Sequence, residues 1–96
     1  MKFIVFELKT NQVGCDDTNI YKANDSCFNE DGSLNEKYLS EYGYELARDN
    51  AEMYGLLDEA LSNGLDEEEC YYVSFKLVEF NSVEEAEEEY GSVYEF

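Results

Sequence analysis

The segment from Cys70 to Phe80 alternates in the way that is typical of a β-strand. One face would carry Tyr71, Val73, Phe75 and Leu77, and the other would carry Tyr72, Ser74, Lys76 and Val78. A second β-rich segment, Lys2 to Lys9, would place Ile4, Phe6 and Leu8 on one face and ends at Thr10-Asn11. The chain is therefore expected to build a small sheet around these two strands.

Apolar residues recur at helical spacing through much of the chain between these two strands. Ser33-Leu34-Asn35-Glu36 resembles a capping box, and apolar residues follow at helical spacing, namely Leu34, Tyr38, Leu39, Tyr42 and Leu46. Gly43 is predicted to break or kink this helix. A second helical run, from Leu46 to Leu61, would end at Asn63-Gly64. The polar segment 11–32 is predicted to be loop, with a short extended piece around Ile20-Tyr21.

A third helix and a last strand are expected near the C-terminal end of the sequence. Ser82-Val83-Glu84-Glu85 is a second capping box, Gly91 would end that helix near Tyr90, and Val93 to Phe96 would form an edge strand. The order of elements predicts one α+β domain over residues 1–96. Its small, mostly antiparallel sheet would be packed on one face by two to three helices.

The charge of the chain is its most unusual property. Twenty-four Asp and Glu stand against six Lys and Arg, so the net charge is −18. Residues 49–96 hold fifteen acidic and one basic side chain. Two clusters dominate: Asp66-Glu67-Glu68-Glu69 before the long strand, and Glu84, Glu85, Glu87, Glu88 and Glu89 on the last helix. These nine carboxylates are the predicted partner-binding residues.

The last helix should direct its glutamates toward solvent. Val83, Ala86 and Tyr90 form one apolar stripe that would face the sheet. Glu84–Glu88 and Glu85–Glu89 are then like-charge pairs one turn apart, each destabilising by roughly 0.2–0.5 kcal/mol. Because no Lys or Arg lies nearby in sequence, we expect a cationic partner to relieve this repulsion.

The chain lacks the residue patterns of most catalytic sites. It has no His, so Ser-His-Asp triads, Cys-His pairs and imidazole metal ligands are excluded. Cys15, Cys27 and Cys70 form no Cys-x-x-Cys pair and are expected to be reduced thiols of unassigned role. Asn29 to Ser33 fails as a calcium loop, since Cys27 and Tyr38 stand where an EF-hand needs Asp and Glu. We therefore expect no enzyme, no metal site and no cofactor.

The chain resembles small acidic phage proteins that act as DNA mimics, among them anti-CRISPR and anti-restriction inhibitors. The likeness lies in size, charge, tyrosine content and the Glu84–Glu89 helix. It implies an inhibitor of a host-defence protein, a CRISPR effector complex or a restriction enzyme, that blocks the cationic DNA-binding surface. Tyr54, Tyr72, Tyr90 and Tyr94 are candidates for stacking on arginines of such a partner.

Three other interpretations of the acidity stay open. An immunity protein or antitoxin would neutralise a basic toxin or nuclease, and a halophilic protein would carry the charge only for solubility. In a structural or regulatory phage protein the charge would be incidental. The N-terminal segment Met1 to Glu7 has an apolar run that is too short for the core of a signal peptide and ends at Glu7. No segment has the roughly 18 apolar residues of a membrane span. We expect a cytoplasmic protein that binds a basic protein and neither a membrane nor nucleic acid directly.

Overall fold

A mixed four-stranded sheet forms the centre of the molecule. The computed structural model describes residues 1–66 and 69–96. Its strands are β1 (Lys2–Thr10), β2 (Asp17–Lys22), β3 (Tyr71–Glu79) and β4 (Val93–Glu95), in the order β3-β1-β2-β4. β1 is antiparallel to both β2 and β3, whereas β4 is parallel to β2. The sheet is thus mostly antiparallel, as predicted.

Three helices pack on this sheet, which confirms the α+β class. Within residues 1–66 and 69–96 they are α1 (Glu36–Met53), α2 (Leu56–Ser62) and α3 (Val83–Tyr90), and a 3-10 turn, Asp25–Cys27, precedes α1. No helix of the described chain has both the length and the apolar character needed to cross a membrane.

Both faces of β1 are buried, and this determines where the helices lie. Ile4, Phe6 and Leu8 join the core formed with α1 and α2, whereas Phe3 and Val5 pack on the opposite face with Ala86 of α3. Two helices, α1 and α2, therefore cover one face, as predicted, and α3 packs on the other. The continuous apolar run Phe3 to Phe6 is typical of a strand that is buried on both sides.

The segment predicted to be loop contains a complete strand. β2 pairs with β1 over six residues, from Phe3–Lys22 to Leu8–Asp17. Its sequence is largely polar because only Ile20 and Tyr21 are buried. Pairing with β1, rather than an apolar alternation of its own, forms this strand.

The predicted start of α1 is two residues too early. Asn35, not Ser33, is the N-cap, and its Oδ1 accepts from the backbone N–H of Tyr38 at 3.2 Å. Ser33 instead donates its hydroxyl to Asp31 Oδ1 at 2.6 Å. Both side chains are able to cap a helix, and here the Ser33 hydroxyl is engaged by Asp31 in the loop.

α1 passes through Gly43 without a break. The turn between α1 and α2 lies instead at Gly55, whose φ of 74° is left-handed. Gly43 is buried against the sheet, where an added Cβ would lie 3.0 Å from Val73 Cγ2 and 3.1 Å from a Phe6 ring carbon. Gly43 therefore permits close packing of α1 on β1 and β3.

Candidate functional site

The helix α3 has well-defined ends. Ser82 is its N-cap and accepts from the backbone N–H of Glu85 at 3.2 Å, as the capping box predicts. Glu85 reaches back to accept from the backbone N–H of Asn81 at 3.1 Å. Gly91, with a φ of 87°, ends the helix. Glu85 thus has a structural role in addition to its charge.

One side of α3 is buried and the other is entirely acidic. Ala86 has no solvent exposure, and Val83 and Tyr90 pack around the same core, as the apolar stripe predicts. The remaining residues of the helix are all exposed. We call this set the α3 acidic surface: Glu84, Glu85, Glu87, Glu88 and Glu89.

No cation of the described chain pairs with the α3 acidic surface. Ion pairs join Lys9 Nζ to Asp16 at 3.9 Å, Arg48 to Glu52 at 3.6 Å, and Lys76 Nζ to Glu7 at 3.8 Å. Lys2 lies over the Phe28 ring, 5.3 Å from its centroid. The like-charge repulsion along α3 therefore has no internal relief within residues 1–66 and 69–96.

The described residues of the other predicted cluster, Asp66 and Glu69 of the acidic turn before β3, lie at the opposite end of the sheet. At the end of β1, the Asn11 N–H donates to the carbonyl oxygen of Cys70. At the start of β1, the N–H of Phe80, which comes shortly before α3 in the chain, donates to the carbonyl oxygen of Met1. β1 spans roughly 27 Å between these points at the usual rise per residue. Asp66 and Glu69 are exposed in this turn. Glu67 and Glu68 lie outside the described residues.

Sequence analysis missed a further acidic face on α1. Glu41, Glu45, Asp49 and Glu52 are exposed at steps of four, four and three residues, on the opposite side of the sheet from α3. Glu41 and Glu45 border a shallow depression with Tyr38 and Tyr42. The sequence contains a signal for this face, because these four acids recur at helical spacing. The sequence analysis considered only the apolar residues of this segment, which predict the helix but not its acidic face.

The candidate tyrosines are not gathered around α3. Tyr54, Tyr72 and Tyr94 are each about half exposed, at 46%, 59% and 50%. Tyr90 is the one on α3, and its ring packs edge-on against Phe80 with centroids 6.2 Å apart. Tyr72 pairs with Lys9, which lies on the same face of β1 as Phe3, so Tyr72 lies on the same face of the sheet as α3. Tyr94 packs against Tyr21 on the other face.

The three thiols differ in accessibility. Cys27 and Cys70 are buried, Cys15 is half-buried, and none of the three forms a disulfide bond. Burial raises the pKa of Cys27 above its ordinary value, although a hydrogen bond with Asn24 acts in the opposite direction. The described residues contain no group of three Cys, Asp or Glu side chains arranged to hold a metal ion.

Comparison of the chain with protein-family models, with curated proteins and with solved structures finds no match. The geometry of the acidic surfaces is therefore the basis of any functional assignment.

Proposed function

We propose that this protein inhibits a nucleic-acid-binding host-defence protein by occupying its cationic surface as a mimic of DNA. The observation that carries the proposal is the α3 acidic surface: five exposed glutamates on a helix that is anchored by a fully buried Ala86 and has no described cation beside it. The protein acts by binding, and it has no catalytic role.

The spacing of the carboxylates fits this role. An eight-residue helix is about 12 Å long, and carboxylates three or four residues apart project from Cβ atoms about 5–6 Å from one another. One DNA strand carries a phosphate every ~3.4 Å of axis, or three to four over the same length. The α3 acidic surface therefore presents a charge density close to that of a DNA strand, on a scaffold without phosphodiester bonds.

Rigidity supports the same proposal. The Ser82 and Gly91 caps and the contacts of Ala86 with Phe3, Val5 and Ile20 hold α3 on the sheet. The backbone positions of the glutamates are therefore set before binding, so only their side chains need ordering when a partner docks. The α1 acidic face and the acidic turn add negative potential around the molecule and would speed encounter with a basic surface.

The test is capture from bacterial lysate on the immobilised protein, followed by elution with competing duplex DNA or RNA. We expect one nucleic-acid-handling complex to be retained at low salt and released by nucleic acid. Retention of a basic toxin that nucleic acid does not displace would favour the immunity interpretation and overturn DNA mimicry. Matched elution with a neutral polymer controls for nonspecific release.

A further inference from the structure

β3 is a nine-residue edge strand that lacks most of the features by which proteins protect sheet edges. Its ladder with β1 runs without a bulge from Lys2–Glu79 to Thr10–Tyr71. The strand contains no proline and one lysine, Lys76, whose Nζ lies 3.8 Å from Glu7 on β1. The opposite edge is different, because β4 is only three residues long.

The hydrogen bonds at the two ends of the ladder show which backbone groups face the open edge. Asn11 and Cys70 pair at one end, and Met1 and Phe80 pair at the other. Because hydrogen-bonded pairs alternate along an antiparallel ladder, Tyr72, Ser74, Lys76 and Val78 direct their backbone groups toward β1. The intervening residues Val73, Phe75 and Leu77 direct theirs toward the open edge, where no strand of the described chain lies.

The charge of β3 indicates what kind of strand would pair with it. The nine residues hold one Lys and one Glu, so this strand is neutral in a chain of net charge −18. Leu77 and Tyr72 are also exposed, at 38% and 59%. An uncharged, β-rich strand is the best match for such an edge, and the β3 of a second copy has this composition.

We propose that two copies of this chain pair antiparallel through β3, with Phe75 opposite Phe75 on the two-fold axis. This register opposes Val73 to Leu77, Tyr72 to Val78, Ser74 to Lys76 and Tyr71 to Glu79. It places the outward backbone groups of Val73, Phe75 and Leu77 in hydrogen-bonded pairs and opposes no like charges.

Other registers are poorer. Centring the axis on Lys76 opposes two lysines, and centring it on Val73 or Leu77 pairs only five of the nine residues of β3. The Phe75 register pairs all nine and joins two four-stranded sheets into one of eight strands. Because the two-fold axis is then perpendicular to the sheet, both α3 helices lie on the same face of the dimer.

This pairing is independent of the proposed inhibitory function, and salt distinguishes the two. Each copy carries a net charge of −18, so screening by salt favours dimerisation. The same screening weakens binding of a cationic partner. Sedimentation velocity on the purified protein should show a monomer–dimer equilibrium that shifts toward dimer with increasing protein and salt concentration. A protein that stays monomeric at millimolar concentration in high salt would overturn the proposal.

A disulfide cross-link tests the register. A Ser74→Cys chain and a Lys76→Cys chain, both carrying Cys15→Ser, are mixed and oxidised. In the proposed register these positions form a non-hydrogen-bonded pair with Cα atoms about 4.5 Å apart, within the range of a disulfide. Each variant alone offers only diagonal neighbours about 7–8 Å apart. The mixture should therefore cross-link at least tenfold more than either variant alone, and equal or absent cross-linking would refute this register.

Discussion

Gly43 shows at the scale of one residue why local sequence rules failed in α1. A glycine within a helical pattern suggests a break, yet α1 is continuous at Gly43 because the missing side chain lets the helix approach Phe6 and Val73. Whether a glycine breaks a helix or lets it pack closely, it lowers helix stability by about 1 kcal/mol relative to alanine. The close approach depends on β1 and β3, which are distant in sequence, so the helical segment alone does not reveal it.

Gly43→Ala should destabilise the protein although alanine is the better helix former. The added methyl group would stand 3.0 Å from Val73 Cγ2, and such overpacking typically costs about 1–3 kcal/mol. After the gain in helix propensity, we expect a net loss of about 1 kcal/mol in the free energy of unfolding, measured by urea denaturation. Glu45→Ala, at an exposed position on α1, is the control. A Gly43→Ala variant as stable as the native protein would contradict the packing described.

Tyr21 should make the protein less stable at alkaline pH. Burial, above all, raises the pKa of Tyr21 above its ordinary value, and a hydrogen bond with Tyr42 and the nearby Tyr94 act in the same direction. The unfolded state therefore loses this proton first, so the free energy of unfolding should fall as pH rises above about 10. Below that pH the contribution is complete.

Tyr21→Phe should flatten this alkaline decline, because the ring contacts with Phe6 and Phe96 remain while the ionisable hydroxyl is lost. Urea denaturation between about pH 9 and 11 measures the slope. Tyr72→Phe, which removes a hydroxyl from an exposed ring, is the matched control. Equal slopes in the native protein and in Tyr21→Phe would show that Tyr21 is not the group responsible.

At the scale of elements, sequence patterns predicted those segments whose signals are local. β-rich composition located β1 and alternation located β3. α3 was predicted with both of its caps, because Ser82, Glu85 and Gly91 lie within the helix or next to it. β2 was largely missed because its pairing with β1 replaces apolar alternation. The side of the sheet on which α3 packs depends on Phe3 and Val5, about eighty residues away.

The candidate site was predictable to a similar extent. The solvent-facing α3 glutamates follow from the Val83, Ala86 and Tyr90 stripe, which the structure confirms. The separation of the two acidic clusters and the α1 acidic face depend on the strand order, and local patterns do not specify that order.

Replacing glutamates of α3 by glutamine should raise the free energy of unfolding and weaken binding to a basic partner. Glu84→Gln, Glu87→Gln and Glu88→Gln together remove the Glu84–Glu88 repulsion and leave the Glu85 capping contact in place. We expect the free energy of unfolding at low salt to rise by a few tenths of a kcal/mol, as measured by urea denaturation. The same variant should bind its basic partner at least tenfold more weakly. A variant that loses stability would show that these glutamates have a structural role.

At the scale of the whole molecule, a net charge of −18 on a 96-residue chain should make the stability of the protein depend on salt concentration. Added salt should modestly stabilise the isolated protein by screening self-repulsion, with the helical and strand content intact at low salt by circular dichroism. A halophilic protein would instead unfold at low salt, and that outcome would favour solubility as the reason for the charge.

The most direct test of the central claim is displacement of labelled duplex nucleic acid from the captured partner by three forms of the protein. These are the native chain, the α3 triple variant, and an α1 control with Glu41→Gln, Glu45→Gln and Glu52→Gln. Both variants lose three negative charges, so each has a net charge of −15 instead of −18. If α3 forms the mimic, its variant should require at least tenfold more protein for displacement, while the α1 control stays close to native. Equal displacement by all three forms, or loss with the α1 control alone, would contradict the account.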